Sequence, residues 1–172
     1  MGLKMLPFHV PDIGDEEMAE VLDVLRSGWL TTGPKARDFE REFAAVVGAK
    51  HAVAVNSCSA ALHLTLEAAG IREGDEVLIP TMTFAATAEV VTYLKAKPVL
   101  VDCIDDTLNL DTSRLEQGIT DKTKAIIPVH FAGHPCDMDQ ILSIAHTHNL
   151  RVVEDAAHAL PARYNGKTRG SI

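Results

Sequence analysis

Three short polar stretches carry side chains that could do chemistry, and each directly follows an apolar run. The first is Asn56-Ser57-Cys58-Ser59-Ala60-Ala61. Small and hydroxyl residues opening a helix leave N–H groups at its positive end, a cradle for a phosphate or another small anion. The same residues also read as a plain helix cap. The second stretch is Pro80-Thr81-Met82-Thr83-Phe84. Its aromatic ring reads as a wall at the same rim or, taken alone, as a core phenylalanine. The third is Glu154-Asp155-Ala156-Ala157-His158. A carboxylate after a strand can cap the next turn. It can also sit under a heterocyclic nitrogen and hold it protonated through a charge-assisted hydrogen bond.

The elements that must position these residues follow from the apolar spacing. Asp15 can cap a helix through about Ser27, with Met18, Val21, Leu22 and Leu25 on one face and Gly28 past its end. A second helix runs from about Lys35 to Val47, with Ala36, Phe39, Phe43 and Val46 inward and Gly48 as its stop. Ala52-Val53-Ala54-Val55 reads as a short buried strand. Ser57 or Ser59 then caps a helix carrying Leu62, Leu66 and Ala69, ended by Gly70. Further strands are expected at Glu76–Ile79, Pro98–Val101, Ala125–Val129 and Arg151–Glu154, with helices from about Phe84 to Leu94 and from Asp137 through Ala145. Short β-branched strands alternating with helices imply a parallel sheet covered on both faces. Ligands of such sheets gather beyond the carboxyl ends of the strands, where the three polar stretches lie.

Composition bounds the rest. The chain has 172 residues, 47% hydrophobic and 23% charged, as expected for one globular core. Its net charge of −8 comes without a basic stripe, which argues against nucleic-acid binding through phosphates. The three cysteines, Cys58, Cys103 and Cys136, are widely spaced and form no CxxC pair, so a reducing cytoplasmic setting is expected. Neither a leader peptide nor an apolar run of membrane-spanning length is expected, and Leu6 stands where a myristoylation motif needs Ser or Thr. His130 and His134 are four apart, but Gly133 and Pro135 disfavour a helical metal pair. His146 and His148 do not share a helix face, so no metal site is expected. Cys58 sits where a helix N-terminus would lower a thiol pKa, yet no general base accompanies it and it reads as a small filler. Asp105-Asp106 reads as a solvated turn. Trp29, in a glycine-flanked loop, could be a core anchor.

These stretches together resemble the DegT/DnrJ/EryC1/StrS sugar aminotransferases, of the aspartate-aminotransferase fold type. The resemblance rests on Gly28-Trp29-Leu30-Thr31-Thr32-Gly33-Pro34 with Phe39-Glu40, on Ser57 to Leu64, and on Pro80 to Thr87. Pro128-Val129-His130-Phe131-Ala132-Gly133 and Glu154 to Ala159 complete it. It implies an α/β fold, the three-layer parallel-type sheet of the large domain of pyridoxal-phosphate (PLP) enzymes, present here as the N-terminal portion only. Residues 1–34 would form an N-terminal helix and substrate-side loop, and 35–172 a partial PLP-binding domain. By the same resemblance, Ser59 and the N–H of Ala60 would hold the cofactor phosphate, Phe84 would stack on the pyridine ring, and Asp155 would pair with its nitrogen. His158, where the family often has Gln, would lie near the ring hydroxyl, and Trp29 would reach toward the substrate. A protonated ring nitrogen makes the ring an electron sink.

The family's Schiff-base lysine is expected a dozen or two residues beyond the stretch resembling Gly166-Lys167 and Gly170-Ser171. No catalytic residue is therefore assigned within this chain, and Lys167 is a poor substitute. The strands that would flank Ala52–Val55 are also expected after Ile172, which leaves its N–H and C=O groups without partners. The resemblance implies an enzyme that moves an amino group from glutamate to a nucleotide-linked keto-sugar in surface-polysaccharide or antibiotic-sugar synthesis, as a homodimer or with a complementing C-terminal chain. The alternatives are an inactive fragment or subunit that acts by association, and a family member that dehydrates sugars.

Overall fold

The computed structural model describes Met5, Pro7 and residues 10–168. The residues weighed above for a lipid anchor and Gly170-Ser171 fall wholly or largely outside these. The centre is a parallel sheet of β1 (Glu76–Pro80), β2 (Lys97–Val101), β3 (Thr123–Ile126) and β4 (Arg151–Val152), in the order β2-β1-β3-β4. Pro98 is accommodated because β2 is an edge strand, where a missing N–H breaks no ladder on its outer side. β3 and β4 stop earlier than the apolar runs predict. Beyond them the two segments stay together through a single parallel bridge between Val129 and Asp155.

Strand alternation divides the core into two layers. Val77, Ile79, Ala125, Ile127 and Val153 face one side and meet Leu62, Leu66, Val90 and Val91. Those last four come from α3 (Cys58–Ala68) and α4 (Ala85–Tyr93). Leu78 and Ile126 face the other side and meet Leu115, Met138, Ile141 and Ala145. Leu115 belongs to a 3-10 helix, Thr112–Gly118, that the sequence reading did not anticipate, and the others to α5 (Met138–Thr147). A hairpin of β5 (Arg163–Tyr164) and β6 (Lys167–Thr168) follows, turning at Asn165-Gly166. It is pinned to the start of α5, where the Tyr164 hydroxyl donates to Asp137 at 3.1 Å and Asn165 Nδ2 to Asp139 at 3.0 Å.

The N-terminal third departs most from expectation. α1 (Asp15–Ser27) and α2 (Pro34–Val47) form where the spacing puts them. Gly14, not Asp15, is the α1 cap residue, and its N–H is held by Glu17 Oε2 at 2.7 Å. The expected inward face of α1 is not buried: Met18, Val21, Leu22 and Leu25 are all exposed, and no residue of this helix is buried. In α2 the buried positions are Ala44 and Val47, one step round the helix from the predicted Phe39 and Val46, which are exposed. Lys35 ties the two helices through Glu20 and Asp23. Ala52–Val55 is not a buried strand. It joins no sheet, Val53 is 79% exposed, and the Ala54 N–H is taken by Glu40 Oε1 at 2.8 Å. Among the described residues no strand pairs with it, and a buried strand cannot leave its backbone groups unpaired.

Candidate active site

Asp155 stands where the run beginning with β4 leaves the sheet, and it is only 6% exposed. Its backbone is stitched to the segment after β3: the Asp155 N–H donates to Pro128 O at 2.9 Å, and the His130 N–H donates to Asp155 O at 3.2 Å. Alternation puts the Asp155 side chain on the α3/α4 face, with Val153, and Glu154 on the other.

Three groups meet the Asp155 carboxylate. The Thr87 hydroxyl donates to Oδ2 at 3.0 Å, the Ala157 N–H donates to Oδ1 at 3.2 Å, and the Cys58 thiol lies 3.8 Å from Oδ1. The three polar stretches therefore converge. Cys58 opens α3 beside Ser59, and Thr87 lies in the first turn of α4, which Phe84 introduces as cap residue.

The cap of α3 is Ser57, whose hydroxyl accepts from the Ala60 N–H at 3.1 Å. This settles the choice between Ser57 and Ser59. It also engages the Ala60 amide, so an anion at this turn shares that donor with Ser57. The amides of Cys58 and Ser59 precede any helical carbonyl partner. Phe84 is 79% exposed and is not a core residue. His158 lies on an exposed turn, and its carbonyl abuts Gly133: a Cβ there would come within 3.0 Å of it.

Trp29 is not brought to this cluster. Its indole N–H donates to Thr32 O at 3.0 Å, and it lines a groove of residues from α1, the following loop and the start of α2. Its ring also lies over Gly33, where a Cβ would approach it to 2.5 Å.

The Cys58 thiol is pushed up from its ordinary value, first by desolvation and then by the charge and hydrogen bonding of Asp155. Desolvation, with the Asp155 carboxylate 3.8 Å away, outweighs the pull of the helix N-terminus. This direction is opposite to the shift that activates a thiol.

Sequence reasoning passed over two features. His130, weighed only as a metal ligand, is fully buried: Nε2 pairs with Glu154 Oε2 at 2.8 Å, and Nδ1 accepts from the Cys136 N–H at 3.1 Å. Since Nδ1 accepts, the ring proton is on Nε2. Among the described residues no group of three or more His, Cys, Asp or Glu could hold a metal. Thr83 and Thr87 bond each other at 2.7 Å, and their four-residue spacing at the head of a helix was the available signal.

The donor set suits pyridoxal phosphate. A buried carboxylate can accept from a ring N–H, a small-residue helix N-terminus can take a phosphate, and an exposed phenyl face can take a ring. Residues 11–172 match the DegT/DnrJ/EryC1/StrS aminotransferase family, and the chain belongs to it. SpsC, the spore coat polysaccharide biosynthesis protein of Bacillus subtilis, is 54% identical over 97% of this chain and 43% of its own length. The aminotransferase from Psychrobacter cryohalolentis is 41% identical, with a TM-score of 0.92 over 96% of this chain and 43% of that one. A GDP-4-keto-6-deoxymannose-3-dehydratase, solved with a trapped PLP–glutamate geminal diamine, is 30% identical, with a TM-score of 0.90 over 95% of this chain and 44% of that one. The chain thus spans less than half the length of these relatives. The fold is that of part of the large domain of PLP-dependent transferases. Among the described residues, no helix is long and apolar enough to cross a membrane.

Proposed function

We propose that this chain supplies the cofactor-binding half of a PLP-dependent aminotransferase that moves an amino group from glutamate to a nucleotide-linked keto-sugar. The observation that carries the reading is the buried Asp155 carboxylate, met from one side by the first turn of α3 and from another by the first turn of α4. When bound, the cofactor supplies an electron sink for charge developing at the substrate carbon.

The chain's own residues do the following. Asp155 accepts the hydrogen bond of a protonated ring nitrogen and keeps the proton there. Ser59 and the first amides of α3, with Ala60 shared by Ser57, hold the phosphate. Phe84 covers one face of the ring and excludes water from it, and His158 lies toward the ring hydroxyl. Trp29 belongs to a substrate-side segment, residues 1–34, and 35–172 to the partial cofactor domain. The amino-transfer chemistry needs a lysine that this reading places in the remaining length of the relatives. That portion is supplied by a longer product or by a complementing chain. The working enzyme on this reading is a cytoplasmic homodimer. The exposed apolar face of α1 and the Ala52–Val55 segment, which joins no sheet, support a need for further polypeptide.

The test is complementation. The chain is mixed with PLP and with a polypeptide covering the remaining length of a relative such as SpsC. An absorption band that borohydride fixes to a lysine of the added polypeptide is expected, as is transfer of 15N from labelled glutamate to a nucleotide-linked keto-sugar. Loss of a sugar hydroxyl without nitrogen transfer would instead indicate a dehydratase, the reading favoured by the 30%-identical dehydratase neighbour. No band under any condition would leave a chain that acts only by association.

A further inference from the structure

Among the described residues, three of the buried polar clusters outside the roles just assigned invite comparison. Glu76 with Thr120 and Lys97 sits at the opposite end of the strands from Asp155 and secures the loop before β3. His130 with Glu154 secures the backbone on the far face of the sheet. The pair Thr83 and Thr87 is different, because it ends on the Asp155 carboxylate itself.

The direction of this chain of hydroxyls is fixed by what each group can do. An ionised carboxylate only accepts, and a hydroxyl has one proton to give. Thr87 therefore spends its proton on Asp155 Oδ2 and accepts from Thr83 at 2.7 Å. A helical threonine has a competing acceptor in the backbone carbonyl one turn back. Thr87 is fully buried and donates to the carboxylate instead. Thr83, part-buried at the rim beside Phe84, occupies a lone pair of the Thr87 oxygen and fixes its rotor.

A carboxylate offers roughly four acceptor positions, two on each oxygen. Oδ1 uses its two for the Ala157 N–H and the Cys58 thiol, and Oδ2 uses one for Thr87. Among the described residues nothing takes the fourth position, which is on Oδ2. The carboxyl torsion of aspartate is soft and its two oxygens are equivalent by a half-turn, so the hydrogen bonds the group accepts set the direction of the open position. Of those bonds, the one from Thr87 lies on the oxygen that carries it.

We propose that Thr83 and Thr87 form a hydroxyl relay that positions the Asp155 carboxylate, so that Oδ2 presents its one open acceptor position to a protonated heterocyclic nitrogen. The relay's link to such a nitrogen rests on the cofactor reading of Asp155. The orienting of the carboxylate does not. Thr87 is on this account a positioning residue that acts through Asp155.

Two measurements test it on the 172-residue chain. In the ligand-free protein, side-chain couplings measured by NMR report the Asp155 χ1 rotamer, which carries the whole carboxylate toward Thr87 or away from it. One rotamer is expected in the wild type and in Thr87→Ser, which keeps the hydroxyl, and a mixture in Thr87→Val, which keeps the shape and loses it. Thr83→Val, which leaves Thr87 in place, is expected to give a smaller admixture, and it decides the matter should Thr87→Val not fold. A single unchanged rotamer in both valine variants overturns the relay.

The second measurement compares binding of PLP with that of its 1-deaza analogue, which has carbon in place of the ring nitrogen. The wild type and Thr87→Ser are expected to prefer PLP, and Thr87→Val to lose about tenfold of that preference, the size of one hydrogen bond to a charged group. A merely structural role would weaken both ligands alike and keep the ratio. Asp155→Asn is the control for the underlying reading. If the wild type, alone and with the complementing polypeptide, shows no preference or binds neither ligand, the cofactor role of Asp155 fails, and the rotamer measurement alone judges the relay.

Discussion

Replacing His130 with phenylalanine keeps the ring volume and removes both nitrogens. Two hydrogen bonds go with them: Nε2 to Glu154 at 2.8 Å, and the Cys136 amide to Nδ1 at 3.1 Å. The ring is fully buried and the Glu154 side chain is only 3% exposed, so water does not replace either bond. A hydrogen bond to a charged group contributes about 1.5–3 kcal/mol and a neutral one about 0.5–1.5, so the loss expected is about 2–4 kcal/mol. For a domain of this size that lowers the melting temperature by about 4–16 °C. Urea unfolding followed by circular dichroism measures it, with an unchanged m-value showing that the surface exposed on unfolding is the same. Glu154→Gln keeps an acceptor for Nε2–H and is expected to cost less than His130→Phe. A loss under about 0.5 kcal/mol for His130→Phe, the range of an indifferent surface change, refutes the claim that this pair holds the two segments together.

Other outcomes follow from the same structure. The Glu76 carboxyl is held below its ordinary value first by the Thr120 hydroxyl and then by Lys97, so it stabilises the fold fully above its unfolded value of about 4.5 and less as pH falls through the lower folded one. Thermal melts of Glu76→Gln should accordingly lose less stability than the wild type between about pH 5 and 3, and equal losses would rule this out. Cys58, its thiol pushed up by partial desolvation and by Asp155, should alkylate more slowly than a free cysteine at about pH 8, and Asp155→Asn should speed it. Peptide mass spectrometry after timed iodoacetamide treatment reads this, and labelling at the free-thiol rate in the wild type would contradict it. Val53→Ser should change the stability of this chain by no more than about 0.5 kcal/mol, whereas Leu66→Ala in the core should cost about 2–5 kcal/mol. A large loss at Val53 would mean that the segment is paired in solution.

Much of the sheet was legible because its strands are short runs of β-branched residues, and because alternation, once β1 is placed, assigns Val77 and Ile79 to one layer and Leu78 to the other. The 3-10 helix at Thr112–Gly118 was not legible, since a run that short shows no helical period. The inward faces of α1 and α2 were misread for another reason. Periodicity finds an apolar stripe, but whether anything covers it depends on neighbours that a local pattern does not encode. Ala52–Val55 makes the same point: its residues have strand character, yet a strand exists only where another segment pairs with its backbone.

At the candidate site, the residue types were set by sequence alone, as were the places of the stretches after β1 and β4, because a parallel sheet gathers the segments following its strands at one end; the stretch from Asn56 follows no strand. The family likewise was readable from linear motifs. Tertiary structure decided what the motifs do to one another. It made Ser57 the cap, turned Cys58 toward a carboxylate that suppresses its acidity, left Phe84 open, and kept Trp29 apart. It also set Thr87 on Asp155 and His130 on Glu154, across 68 and 24 residues of chain. Hydrogen bonds of that span form only once the sheet has brought distant segments side by side, and no local spacing in the sequence records them.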